Sequence, residues 1–151
     1  LKSKIPIVVK ISPDISEDQI ELVSKILLEH KVSAVIISNT TSGNREKLND
    51  ILKHQKGGLS GKPLEEEANK LIGKFYKILK GKIEIIGVGG VDSGESAHRK
   101  LLAGASYVQL YTGMVFQGPN IVVKIKKELK EILMVDGIKN FREIIGKKQP
   151  N

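Results

Sequence analysis

Two glycine-rich turns are the parts of this sequence best placed to do chemistry. Gly89 and Gly90 end the apolar run IEIIGVGG, and residues 111–113 (YTG) end the run SYVQLYTG. Glycine lets the backbone approach a ligand closely, and the Thr112 hydroxyl can donate a hydrogen bond to a phosphate. Either turn alone could be an ordinary turn. The two together, after consecutive predicted strands, favour a site for a phosphate-bearing cofactor.

Polar side chains also follow the two predicted strands nearest the start of the chain. Lys10 ends an apolar strand, where it can face a developing negative charge or extend its ammonium group into solvent. Residues 38–41 (SNTT) follow the next strand. The amide of Asn39 and the neighbouring hydroxyls could bind the edge of a planar polar heterocycle, or could form an Asx turn. The residues alone leave both alternatives open.

Three further features have weaker chemical signals. Residues 57–61 (GGLSG) lead into a helix start at Pro63, which could bind an anion, act as a lid hinge or be a plain loop. Asp14 and Asp92 follow strands as isolated carboxylates, and Asp92 suits the start of a helix better than acid catalysis. No Ser/His/Asp set and no pair of carboxylates for acid–base catalysis is visible.

Composition excludes several classes of function. The sequence has no cysteine, so disulfides, zinc–thiolate sites and thiol catalysis are excluded. Its three histidines share no ligand spacing, and we expect no metal. The net charge is +8, but the lysines are spread over helix faces and aromatic residues make up 4%, so we expect no nucleic-acid partner. No apolar run reaches the ~18 residues of a membrane span, and we expect a soluble chain.

Alternating strands and helices position these residues. Strands are predicted at 5–11, 32–38, 83–88 and 106–110, and the intervening and following helices begin near residues 16, 63, 93 and 119. Ser16 and Gln19 form a capping-box pattern at the first of these helices. The alternation indicates one α/β domain over residues 1–151. An open doubly wound sheet fits, and so does half of a β/α barrel, since complete barrels have about 250 residues.

Six motifs then occur in a fixed order: VKISPD at 9–14, SNTT at 38–41, GGLSGKPL at 57–64, IIGVGGVDSGESA at 85–97, GASYVQLYTG at 104–113 and FQGP at 116–119. Together they resemble the C-terminal half of the dihydroorotate dehydrogenases, the flavin enzymes of pyrimidine biosynthesis. The resemblance covers nearly the whole chain. GGLSGKPL, YTG..FQGP and FREIIG at 141–146 are more similar to the quinone-linked, membrane-associated class 2 than to the soluble class 1.

The resemblance implies a (β/α)8 TIM barrel that holds FMN at the carboxyl ends of its strands. It therefore favours the half barrel, four parallel βα units that form the barrel's last four, over the doubly wound sheet. The N-terminal half, with the serine that acts as catalytic base and the quinone tunnel, is expected to be absent from this chain. We accordingly expect the chain alone to be inactive, and to pair with that half or to self-associate.

The resemblance also implies roles for individual residues. Lys10 matches the lysine beside the flavin pyrimidine ring, where its charge stabilises the anion formed on hydride transfer. Asn39 and Thr40 match the pair that hydrogen-bonds the orotate ring. The other implied cofactor contacts are Ser38, Gly61, Gly89, Gly90, Tyr111 and Thr112.

The implied reaction is oxidation of dihydroorotate to orotate. A base removes a proton from C5, a hydride moves from C6 to the flavin, and the electrons pass to quinone. The whole protein is expected at the periphery of an inner membrane, either bacterial cytoplasmic or mitochondrial. Two alternatives remain: a non-catalytic phosphate- or flavin-binding half barrel, and another FMN-dependent barrel oxidoreductase with a different planar substrate.

Overall fold

The computed structural model of the chain describes residues 5–43, 45–46 and 48–148. One parallel sheet contains the strands β1 (Val8–Ile11), β2 (Ala34–Ile37), β3 (Glu84–Gly87) and β4 (Tyr107–Val108). The strand order is β1–β2–β3–β4, so each strand pairs with the strand before it in sequence. A doubly wound sheet reverses its strand order at a switch point, whereas a barrel wall adds strands in one direction. The observed order is that of a barrel wall.

The helices are α1 (Glu17–Glu29), α2 (Glu65–Leu79), α3 (Gly94–Ala103), α4 (Thr112–Gln117) and α5 (Ile121–Val135), with 3₁₀ turns at Lys62–Leu64 and Phe141–Ile144. The predicted capping box is present at α1, where the Ser16 hydroxyl accepts from the Gln19 amide. Pro63 lies in the 3₁₀ turn that leads into α2. The short helix α4 was not predicted. No helix among the described residues is both long and apolar enough to cross a bilayer.

One face of the sheet carries the core. Strand side chains alternate between the two faces, and on this face Val35 and Ile37 are fully buried. They pack against α1, α2 and the end of α3, with Phe75 of α2 completely enclosed. A smaller cluster joins α3 to α5. Because α1, α2 and α3 share this face, the layering is that of a barrel wall with outer helices.

The opposite face of the sheet is open. Val8 and Tyr107 on this face are 43% and 47% exposed, and Lys10, level with Tyr107 in the strand register, is exposed as well. All four strands are shorter than predicted, the inner strands β2 and β3 included. At the start of the sheet, Ile5 and Ile7 are 82% and 64% exposed and precede β1.

Candidate cofactor and substrate site

The residues predicted to bind cofactor or substrate line one cavity of about 590 Å³ at the carboxyl ends of the strands. This cavity is called the strand-end cavity below. The predicted residues that line it are Lys10, Ser38, Asn39, Thr40, Gly61, Gly89, Gly90, Tyr111 and Thr112. They come from four strand exits and from the segment that precedes α2. A parallel sheet brings these segments to one edge, although they are spread over a hundred residues of sequence.

Left-handed glycines form one side of the strand-end cavity. Gly90 has φ +74°, and a Cβ at this position would lie 2.4 Å from Glu65 Cβ and 2.9 Å from Glu65 Cα. Gly61 has φ +78°, and a Cβ there would lie 3.0 Å from Thr112 Cγ2. The Thr112 hydroxyl also donates to Ser60 Oγ at 3.0 Å. Such turns present main-chain amides without side-chain obstruction, so this side fits a phosphate-bearing group.

Polar side chains form another part of the cavity wall. Backbone hydrogen bonds fix this segment, since the Ser38 amide donates to Val88 O at 3.3 Å and the Asn39 amide to Ile11 O at 2.8 Å. Ser38 is buried and donates its hydroxyl to Asn39 O at 3.0 Å. Within the described part of the chain, the side chains of Asn39 and Thr40 form no hydrogen bond. Their donors and acceptors therefore remain available to a ligand in the cavity.

Lys10 lies on the open face of the sheet. It pairs in register with Ile36 of β2, and its side chain is exposed while also lining the strand-end cavity. Among the described residues its ammonium group has no ion-pair partner. Both interpretations of this lysine therefore stay open, because the residue is exposed and also lines the cavity.

The prediction that Asp14 is an isolated carboxylate is wrong. Asp14 accepts hydrogen bonds from the Thr41 hydroxyl and from the Ser42 amide, the latter at 2.8 Å. Burial raises the pKa of this carboxyl group, but the hydrogen bonds from Ser42 and Thr41 outweigh it and hold the pKa below its ordinary value. Asp14 therefore joins the loop after β1 to the loop after β2. No sequence pattern predicts the contact between Asp14 and Thr41, because the two residues lie 27 positions apart.

Asp92 is not isolated either. The Lys62 ammonium lies 3.4 Å from Asp92 and 2.8 Å from Glu65, and Arg99 Nε lies 2.7 Å from the other Glu65 oxygen. The Glu65 side chain is 9% exposed, and burial raises its pKa. Hydrogen bonds from Arg99 and Lys62 outweigh that effect and lower the pKa of Glu65. This network fastens the turn before α2 to the Gly90 turn and to α3.

Two residues that line the cavity, Phe116 and Gln117, received no role in the sequence interpretation. Both lie in the unpredicted helix α4, where Gln117 Nε2 donates to Asp92 O at 3.1 Å. The FQGP motif contains both α4 residues, and its place after the glycine turn was a usable signal. In the part of the chain that the structure describes, no group of acidic or histidine side chains is arranged to hold a metal ion.

The family model for dihydroorotate dehydrogenase matches residues 2–133. The chain belongs to the dihydroorotate dehydrogenase family. A relative named dihydroorotate dehydrogenase (quinone), mitochondrial, from Arabidopsis thaliana is 42% identical over 142 residues, 93% of this chain and 31% of that protein. The mouse (Mus musculus) relative of the same name is 41% identical over 140 residues, 93% of this chain and 35% of its own length. The dihydroorotate dehydrogenase (quinone) of Trichodesmium erythraeum is 40% identical over 151 residues, covering 95% and 40%.

Solved dihydroorotate dehydrogenase structures agree with this family assignment. The ligand-free Eimeria tenella protein superimposes with a TM-score of 0.89 at 37% identity, over 93% of this chain and 39% of that one. The same protein in complex with ferulenol gives 0.91 at 36% identity, over 95% and 38%. The resemblance is confirmed, and so is the partial β/α barrel fold. The chain spans 31% to 40% of the length of the dihydroorotate dehydrogenase relatives described above.

Proposed function

We propose that the chain is the cofactor- and substrate-binding C-terminal half of a quinone-linked, FMN-dependent dihydroorotate dehydrogenase. The observation that carries this proposal is the strand-end cavity, which gathers all the residues with a role implied by the family resemblance. A coincidental resemblance in sequence would not be expected to place segments from four strand exits around one volume. Family membership and the glycine turns that fit a phosphate both support it.

Cofactor binding divides between backbone and side chains. The amides of the Gly61 and Gly90 turns bind the phosphate of FMN, with Gly89 completing the turn. The Thr112 hydroxyl turns from Ser60 Oγ to donate to the same phosphate. Tyr111 and Ser38 contact the rest of the cofactor. When bound, FMN supplies the acceptor for the hydride that leaves the substrate.

Substrate binding uses the polar wall of the cavity. Asn39 and Thr40 donate to and accept from the polar edge of the dihydroorotate ring, which orients its reacting carbons. Lys10 stabilises negative charge at the reacting face, because it lines the cavity and its ammonium has no ion-pair partner among the described residues. The proton from C5 passes to a base, a serine in the family resemblance, that we place in the N-terminal half of the whole protein.

The open face of the sheet needs a covering partner in this proposal. Val8 and Tyr107 expose apolar surface there, and both edge strands have free backbone groups on one side. We propose that the N-terminal half of the barrel covers this face and, with it, brings the protein to the periphery of an inner membrane, where quinone takes the electrons. A second copy of this chain is the alternative occupant.

The test of this proposal combines the chain with the N-terminal part of a relative's barrel. The chain is co-expressed with the N-terminal portion of the Trichodesmium erythraeum relative, and this assembly is called the completed enzyme below. We expect it to bind FMN and to reduce a quinone or dye when dihydroorotate is added. Reduction with dihydrouracil and not with dihydroorotate would indicate a different planar substrate. Submicromolar FMN binding by a dimer of the chain alone, with no dihydroorotate oxidation in either form, would support the non-catalytic half barrel.

Lys10 gives a direct test of the electrostatic role. We expect Lys10→Ala in the completed enzyme to lower kcat on the order of a hundredfold, as removal of one preorganised charge from a reacting site does. Stopped-flow measurement of flavin reduction by dihydroorotate checks this. Lys25→Ala, on the exposed face of α1, serves as the control and should keep the full rate. Full activity in Lys10→Ala would remove the role assigned to the ammonium group.

A further inference from the structure

Asp14 stands outside the strand-end cavity but is hydrogen-bonded to the loop that supplies the polar wall. Its carboxylate accepts from the Thr41 hydroxyl and from the Ser42 amide. Both donors follow immediately after Asn39 and Thr40 in the sequence. Charge-assisted hydrogen bonds of this kind are stronger than neutral ones, so Asp14 holds the β2 exit loop against the β1 exit loop.

Thr41 connects this contact to the far side of the loop. It is 1% exposed, and its hydroxyl oxygen also accepts from the Gly43 amide at 3.1 Å. Its backbone forms an isolated antiparallel bridge with Leu59, with hydrogen bonds of 3.1 and 2.8 Å. The return segment of the long connection is therefore fastened to the residue next to Thr40. A shift of Thr41 would move both backbone segments that this bridge joins.

The packing of Thr40 makes its position sensitive to such a shift. Gly58 lies so close that a Cβ there would be 1.9 Å from Thr40 Oγ1. Beyond the Leu59 bridge, Ser60 accepts from the Thr112 hydroxyl at 3.0 Å. Thr112, on the phosphate side, is separated from Thr41 by Leu59 and Ser60, so a shift of Thr41 acts first on its neighbours Thr40 and Asn39.

We propose that Asp14 is a positioning residue that fixes Asn39 and Thr40 for substrate binding. The inference rests on the proposed function, because it assigns Asp14 to the substrate wall and not to the phosphate side. Asp14 is absent from the cavity lining, so it acts through Thr41 and Ser42 without touching the substrate. Its loss should therefore weaken binding of the substrate ring and leave cofactor binding unchanged.

Asp14→Asn in the completed enzyme tests this. An asparagine is neutral and has one acceptor oxygen in place of two. In either orientation of its amide, one of the two hydrogen bonds is lost or reversed, and the charge-assisted bond to Thr41 is removed. We expect the orotate dissociation constant and the KM for dihydroorotate to rise about tenfold, with kcat and the FMN dissociation constant within about twofold of wild type. Orotate binding is read from the perturbation of the flavin spectrum.

Variants of the partner show whether the effect runs through the Asp14–Thr41 contact. Thr41→Val, which lacks the hydroxyl, should reproduce the loss, and Thr41→Ser should retain orotate affinity. The double variant Asp14→Asn/Thr41→Val should be no weaker than Thr41→Val alone by more than about twofold, because both changes break the same contact. Asp18→Asn, in the exposed first turn of α1, is the matched control and should behave as wild type.

Three results would overturn the inference. The first is an orotate affinity of Asp14→Asn within about twofold of wild type. The second is an equal loss of FMN and orotate affinity, which would show general loosening in place of positioning. The third is a wild-type completed enzyme that binds FMN but no orotate; this would refute the proposed substrate, and the positioning role with it, before any variant is compared.

Discussion

Replacing Gly90 with alanine is expected to lower the affinity of the completed enzyme for FMN by about a thousandfold. Alanine at φ +74° is strained, and its Cβ would lie 2.9 Å from the Cα of Glu65, a backbone atom that cannot rotate away. Strain and overpacking of this size each cost on the order of 1–3 kcal/mol. The turn must shift to relieve them, and its amides then leave the phosphate. Fluorescence titration of the flavin measures the change.

Gly81→Ala is the control that shows whether backbone strain alone lowers the affinity for FMN. Gly81 has φ +73° and no heavy atom within 4 Å of an added Cβ, and it lies at the opposite end of the sheet, between α2 and β3. It carries the same backbone strain without the contact, so FMN affinity should stay within about threefold of wild type. If Gly90→Ala does not fold, Gly61→Ala takes its place, since its Cβ would meet the movable Thr112 side chain. Unchanged FMN affinity in a folded glycine variant of the cavity would contradict the assignment of the phosphate side.

A second large effect is expected from Lys100, a buried lysine in α3. It is fully buried, and its ammonium donates to Asn69 Oδ1 at 2.9 Å. Burial lowers the pKa of Lys100 to about 8. The Glu65 carboxylate raises this pKa in part, while the positive charges of Arg99 and Lys62 lower it further. The protonated form is therefore disfavoured in the folded chain relative to the unfolded chain.

The sign of the pH dependence follows from this shift. Between the folded pKa of about 8 and the ordinary value of 10.5, the unfolded chain binds a proton that the folded chain does not. The free energy of unfolding contributed by Lys100 therefore rises with pH over this range, by about 3 kcal/mol in total. Below pH 8 the full cost of burying the ammonium is present. Lys100→Met, which has no titratable group, should remove this dependence.

Urea unfolding at several pH values checks the expectation. The wild-type chain should gain about 3 kcal/mol relative to Lys100→Met between neutral pH and pH 10.5, while groups common to both proteins cancel in the difference. Lys127→Met, on the exposed side of α5, should show no such trend. The contradicting result is that the free energies of unfolding of the wild type and Lys100→Met differ by the same amount at every pH in this range; that result would mean that Lys100 keeps its ordinary pKa in the folded chain.

The sequence predicted local features well and contacts between distant residues poorly. Ser16 and Gln19 identify the start of α1, because a capping box is formed by residues three positions apart. The burial of Phe75 and Leu79 follows from helical periodicity. Motif order placed the site at the strand ends, since parallel strands of one sheet share a carboxyl edge. Each of these predictions uses either residues close together in the sequence or a general rule of sheet topology.

The missed features depend on packing in three dimensions. Lysine is usually exposed, and nothing adjacent to Lys100 in sequence marks it as buried against α2. The Arg99–Glu65 ion pair joins residues 34 positions apart on two helices. Asp14 looked isolated for the same reason. All four strands were overpredicted, because an apolar run such as the one containing Ile5 forms a strand only over the residues that pair with a neighbouring strand.

Comparing FMN with riboflavin tests the central claim most directly, because the two differ only in the phosphate. We expect the wild-type completed enzyme to bind one FMN per chain, and to bind riboflavin at least about a hundredfold more weakly, since charge-assisted hydrogen bonds to the phosphate are lost. Equal affinity for the two flavins, or no flavin bound at all, would contradict the account that the turns after successive strands hold a phosphate.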